Sequence, residues 1–234
     1  MGLGAVAVVL LVGAFFLLGP AQKAYACSIL LDPASPAPGA SAVSGQLEDD
    51  QSRKHVNPGA SVTYTFCPPA SGPHYNTAGL GPIEPRFYGP DDGAAPQGWI
   101  HNLEHGGMVV LYSCARSGCD SASLDKLKRL VSTLPDSSVC KLKAGRVSPV
   151  VARFDEMKTP FAAVVWNRVL FQETLDIDQI NEFYATQAER TAPEPQCDLS
   201  MFASPSPGAS GAASESPGAS MAPMESPSPS PSST

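Results

Sequence analysis

Only the middle of this chain can build a core. From Ala203 to Thr234 nearly every residue is Ser, Pro, Gly or Ala. Such a segment has too little apolar surface to offset the entropy lost on ordering it. The unit Ser206-Pro207-Gly208-Ala209-Ser210 returns as Ser216-Pro217-Gly218-Ala219-Ser220. Residues 201–234 therefore read as a disordered tail, either a wall-spanning or glycosylated stalk or an inert solubilising extension. At the other end, residues 1–20 carry no charged side chain. What lies between residues 47 and 200 is long enough for one modest hydrophobic core.

The apolar run approaches the ~20 residues that cross hydrocarbon as a helix. It also has the character of a signal-peptide core, and Ala24-Tyr25-Ala26 fits a small-x-small cleavage site. Residues 1–26 thus read as a signal peptide or membrane anchor, and residues 27–46 as a spacer rich in Pro, Ala and Gly. Lipid attachment at Cys27 is a third reading. No Lys or Arg precedes the run and Lys23 follows it, which runs against the usual positive-inside order. All three readings place the domain outside the cytoplasm, membrane-anchored or secreted, with the membrane as its first expected partner.

Six cysteines agree with export: Cys27, Cys67, Cys114, Cys119, Cys140 and Cys197. An even set behind an export signal reads as disulfides, and the sequence does not choose among the pairings. Cys114 and Cys119 flank a four-residue stretch that a bridge between them would close. A thiolate metal site is disfavoured, because there is no C-x-x-C and the spacings are scattered. The net charge of −7 and the dispersed Lys and Arg argue against nucleic acid as a partner.

Hydrophobic patterning predicts an α+β domain. Val62 to Phe66 alternates and is rich in β-branched and aromatic residues, which predicts a strand. Cys67 to Gln97 is dense in Pro and Gly and predicts a long irregular loop. Its aromatics Tyr75, Phe87 and Tyr88 favour order. The continuous apolar run Met108–Tyr112 suits a strand buried on both faces. Leu124, Leu127, Leu130, Val131 and Leu134 line one face of a helix from Ser121 to Leu134, capped by Ser121 or Ser123. Strands follow at 147–154 and 162–170, joined by a hairpin-like connection through Asp155–Pro160. A second helix covers Asp176 to Arg190. The fold expected is a small sheet with two helices packed on it, and a thioredoxin-like arrangement is compatible with the β-α-β-β-α order.

Three of the four histidines lie in the least regular part of the domain. His74 ends Pro68-Pro69-Ala70-Ser71-Gly72-Pro73-His74. His101 and His105 bracket His101-Asn102-Leu103-Glu104-His105-Gly106-Gly107. On a strand, residues four apart stand about 13 Å apart and cannot share an ion. On a helical turn their Cβ atoms are about 5–6 Å apart. Shared ligation therefore demands a short helix near 100–105, which Gly106 and Gly107 can end by adopting a left-handed conformation. Three imidazoles are a common ligand set for copper or zinc. Glu104 is a candidate fourth ligand or the carboxylate that orients an imidazole. Met108 reads as core packing, with an axial copper ligand as the alternative. His55 reads as an exposed residue before a strand, outside the ligand set. The competing reading is that the histidines only order the loop.

These two motifs, followed by Val109-Val110-Leu111-Tyr112, closely resemble the bacterial family catalogued as domain of unknown function 3105. Gln51-Ser52-Arg53-Lys54-His55-Val56 and Ala192-Pro193-Glu194 add to the resemblance, which covers roughly residues 47–198. Ala70 stands where the motif usually has Thr. The resemblance implies an extracytoplasmic domain behind one N-terminal membrane segment and implies no activity.

Three functional expectations follow. The leading one is an exported domain that binds copper or zinc through His74, His101, His105 and Glu104. The second is a module whose Cys67–Ile100 loop binds a protein or cell-wall partner. The third is an enzyme, either a metal-assisted hydrolase using Glu104 or a thiol-disulfide exchanger using Cys114 and Cys119. No catalytic residue is assigned. Residues 101–105 spell H-x-x-E-H, a metallopeptidase signature on a continuous helix, but two glycines and a β-rich run follow at once.

Overall fold

A computed structural model describes residues 24–33 and 44–197. The apolar residues 1–23, part of the expected spacer and the expected tail lie outside the described residues. No helix among the described residues is long and apolar enough to cross a membrane.

The strands are β1 (Tyr25–Leu30), β2 (Gln46–Leu47), β3 (His55–Val56), β4 (Val62–Cys67), β5 (His74–Tyr75), β6 (Val109–Tyr112), β7 (Val150–Arg153), β8 (Phe161–Val165) and β9 (Arg168–Gln172). The helices are α1 (Pro96–Glu104), α2 (Ser121–Thr133) and α3 (Ile177–Thr191). A five-stranded sheet has the order β2-β9-β8-β6-β7, and β1-β4 and β3-β5 form two small parallel ribbons. The class is α+β, as the patterning predicts.

β6 is the organising strand. It pairs parallel with β7 and antiparallel with β8, and all four of its residues are buried. Alternation along it divides the core in two. Val109 and Leu111 face the cluster that holds Trp99, Ile100 and Leu103 of α1 and Tyr64 of β4. Met108, Val110 and Tyr112 face Leu127 and Leu130 of α2 and Ile180 and Phe183 of α3. Helices therefore cover both faces: α2 and α3 on one, α1 with the β1-β4 ribbon on the other. Met108 is fully buried in the second cluster, away from the histidines, and acts as core.

Several local expectations change. The connection through Asp155–Pro160 is not a hairpin, because β6 lies between β7 and β8. The expected strand at 162–170 is two strands joined at Trp166-Asn167, where Asn167 takes the left-handed conformation (φ 56°) that asparagine tolerates. α2 is capped by Asp120, whose carboxylate accepts from the Ser123 backbone N–H at 3.0 Å, not by either serine.

A strand begins at Tyr25, within the stretch read as signal peptide or anchor, and runs across residue 26 into the expected spacer. β1 pairs residue for residue with β4 from Tyr25↔Val62 to Leu30↔Cys67. Tyr25 stacks on Phe154, and the Gln97 amide donates to the Ala24 carbonyl at 2.8 Å. A short apolar stretch carries no signal for a partner in a distant strand, so its Pro-rich continuation dominates the sequence reading.

All six cysteines are bridged: Cys27–Cys67, Cys114–Cys119 and Cys140–Cys197. The sulfur of Cys27 is committed to Cys67, which leaves none for a lipid thioether. Three internal disulfides are the mark of an oxidising, extracytoplasmic environment.

Candidate metal centre

Four short segments converge on one point. α1 supplies His101 and Glu104, with His105 at its C-cap. Pro96 occupies the first turn of α1, where its missing N–H costs nothing. The helix lies wholly inside the protein, with every residue buried. It stops at Glu104 because Gly106 adopts φ 92°, and Gly107 beyond it runs too close to its neighbours for a side chain. A Cβ on Gly107 would stand 2.7 Å from the Asn102 carbonyl oxygen and 3.0 Å from that of Val147. Asn102 ties the irregular loop to the helix by accepting from the Ile83 N–H at 3.0 Å and donating to the Ile83 carbonyl at 2.8 Å.

His74 comes from β5 and His55 from β3, and the ribbon register sets them directly opposite each other. Their rings meet edge to face at 4.9 Å between centroids. The upstream Gln51–His55 stretch is laid along residues 71–74 by three bonds. Ser71 Oγ accepts from the Gln51 N–H, Ser52 O from the Gly72 N–H, and Lys54 O from the His74 N–H.

The fourth segment is the chain just past α3. The Glu194 N–H donates to the Glu104 carbonyl at 3.1 Å, and the Gln196 N–H donates to the His105 carbonyl at 3.2 Å. The Cys140–Cys197 bridge holds this segment down. The buried Glu189 carboxylate reinforces it by accepting the N–H groups of Val139 and Cys140.

The ring orientations follow one pattern. His74, His101 and His105 each place Nδ1 on a backbone carbonyl: Gly72 at 2.8 Å, Tyr75, and Glu194 at 2.9 Å. A carbonyl only accepts, so each Nδ1 carries a hydrogen, and on the neutral ring of His101 Nε2 is left with its lone pair. His101 and His105 then point their Nε2 atoms at each other across 3.0 Å. Two lone pairs at that distance repel unless a cation or a shared proton lies between them. His74 differs: its Nε2 stands 2.9 Å from the Glu104 carboxylate, which only accepts, so Nε2 donates a hydrogen in that contact.

The electrostatics keep these donors ready. Burial lowers the pKa of His101 to about 4, and the neighbouring His74 and His105 add to the shift. Its hydrogen bond to Tyr75 and the Glu104 charge oppose the shift without reversing it. His101 is therefore a neutral imidazole at physiological pH. Burial pushes Glu104 upward, but the His74 hydrogen bond and the three nearby histidines outweigh it and hold the carboxyl below its ordinary value. Glu104 is therefore ionised.

Two donor sets emerge. One ligand atom each from His55, His74, His101 and Glu104 lie within 4.8 Å of one another, and so do atoms of Glu104, His105 and Glu194. His55 is exposed, as the sequence reading has it, with its side chain at 48%, and its ring nitrogen lies within reach of His74, His101 and Glu104, a grouping that reading did not foresee. His105 groups with Glu194 instead of His74. Sequence reasoning did not name Glu194 as a ligand. The one trace was that Glu194 and His55 both sit in stretches that carry the family resemblance.

Fold and site together define a disulfide-bridged α+β domain with a buried histidine–carboxylate cluster able to hold a metal ion. Residues 55–200 match the family model described as protein of unknown function (DUF3105), and the chain belongs to that family. No curated protein and no solved structure matches the chain.

Proposed function

We propose that this domain works outside the cytoplasm as a binder of a transition metal ion, copper or zinc. The observation that carries this reading is the common anchoring of His74, His101 and His105. Each has its Nδ1–H tied to a backbone carbonyl, which is how proteins fix the tautomer and direction of metal-ligating imidazoles.

The donor set fits these ions. Every cysteine is in a disulfide, so the cluster offers imidazole nitrogen and carboxylate oxygen only. Such donors suit divalent copper and zinc. Ligand atoms of His55, His74, His101 and Glu104 lie within 4.8 Å of one another, close to the roughly 4.4 Å that bonds of ~2.0–2.2 Å allow around one ion. Glu104 brings a negative charge that offsets the charge of the cation. His55 lies at the solvent side and gives the ion a route in and out.

The test is metal content. The full chain is produced in an oxidising compartment without an affinity histidine tag, titrated with Cu(II) or Zn(II), desalted and analysed for bound metal. Retention of stoichiometric metal, reduced in the His74→Ala/His101→Ala double variant, is expected. Folded protein that retains none would overturn the reading.

A further inference from the structure

The cluster has more donors than one ion can use. A cation bonded at ~2.0–2.2 Å needs all its ligand atoms within roughly 4.4 Å of one another. The set of His55, His74, His101 and Glu104 approaches this limit, and so does the set of Glu104, His105 and Glu194. Glu104 is the one residue common to both. It lies between them with two carboxylate oxygens, one of them already 2.9 Å from His74 Nε2.

We propose that the centre is dinuclear. One ion sits among His55, His74, His101 and Glu104. A second is held by Glu104, His105 and Glu194, with Glu104 bridging the pair. The proposal rests on the metal-binding reading above and adds a second divalent cation to it. Carboxylate-bridged pairs in proteins stand ~3.5–4 Å apart, a spacing that one carboxylate can span.

Two features outside the donor sets support a second position. The first is that His105 falls outside the set of His55, His74, His101 and Glu104, although its Nε2 lies 3.0 Å from that of His101. The second is the construction of the wall that carries Glu194. Its main chain is bonded to both Glu104 and His105 and is closed by the Cys140–Cys197 bridge. That wall fixes His105 and presents a carboxylate beside it. Glu194 is exposed, so the second ion faces solvent while most of the first set is buried.

The discriminating variant is Glu194→Gln. The backbone N–H and carbonyl that anchor Glu104 and His105 remain, and an exposed side chain changes by one atom type. The full chain is loaded with Cu(II), desalted, and read by elemental analysis and electron paramagnetic resonance. The wild type is expected to retain about two equivalents, with a signal weakened by coupling between neighbouring Cu(II) ions. Glu194→Gln is expected to retain about one, with the uncoupled signal of an isolated Cu(II) restored. His55→Ala is expected to remove the other equivalent preferentially. One equivalent in the wild type, unchanged by Glu194→Gln, would overturn the dinuclear proposal and leave the mononuclear site standing. No retained metal would overturn both.

Discussion

His101 and His105 sit one helical turn apart and face each other through Nε2 at 3.0 Å, each with Nδ1 held by a carbonyl from a different part of the chain. Tyr75 holds one and Glu194 the other. The pair is thus assembled by α1 but aimed by β5 and by the segment past α3. Loss of either anchor should loosen the site without unfolding the helix.

The exposed and buried ligands should differ in weight. His101→Ala removes a buried nitrogen from the set of His55, His74, His101 and Glu104 and should abolish retention of the ion held there. His55→Ala removes a half-exposed ligand of the same ion and should weaken its affinity, with a smaller loss than His101→Ala. Competitive titration against a chelator of known affinity measures both. Equal losses would contradict this ranking.

The C-terminal clamp should stabilise both fold and site. Cys140–Cys197 closes a loop with a sequence separation of 57. Chain-entropy arguments assign such a bridge about 4 kcal/mol. The Cys140→Ser/Cys197→Ser variant should unfold at clearly lower denaturant and bind metal more weakly, since the Glu194 carbonyl no longer steadies His105. Denaturant titration with and without metal tests both effects.

Gly107 should tolerate no side chain. The added Cβ of Gly107→Ala would press on two backbone oxygens that cannot turn away. Overpacking of this kind costs about 1–3 kcal/mol. A fall in melting temperature is expected, with weaker metal binding because the Asn102 carbonyl belongs to the helix that carries the ligands.

Glu48 should make the domain more stable in mild acid than in mild alkali. Burial raises its pKa to about 7, partly opposed by the Gln46 side-chain hydrogen bond. An unfolded glutamate ionises near pH 4.5, so the folded state resists a charge that the unfolded state accepts. Its contribution is intact below pH 4.5 and is lost as pH rises toward and through 7. The whole effect is at most roughly 3 kcal/mol. Glu48→Gln should flatten this part of the stability–pH curve and raise stability at pH 8. An unchanged curve would reject the assignment.

Much of the fold was legible in local pattern. The leucine spacing of α2, the apolar face of α3 and the continuous run of β6 each have a period that one kind of element satisfies. The demand that His101 and His105 share a helical turn came from chain geometry, and α1 meets it. Helix 121–133 lost only its cap assignment, because Asp120, Ser121 and Ser123 are all good capping residues and backbone angles select among them.

The sequence by itself determined the α+β class, the principal helices and buried strands, the even cysteine set and the gathering of His74, His101 and His105 into one region. These properties rest on short-range periodicity and composition. Tertiary structure decided the rest: which strand lies between which, which sulfurs meet, and which side chains complete the cluster. His55 enters through a two-residue pairing with β5, and Glu194 through main-chain bonds to Glu104 and His105. Both contacts join residues distant in sequence through backbone groups that every amino acid possesses. Such contacts leave no mark on local pattern and exist only once the sheet and its helices have packed.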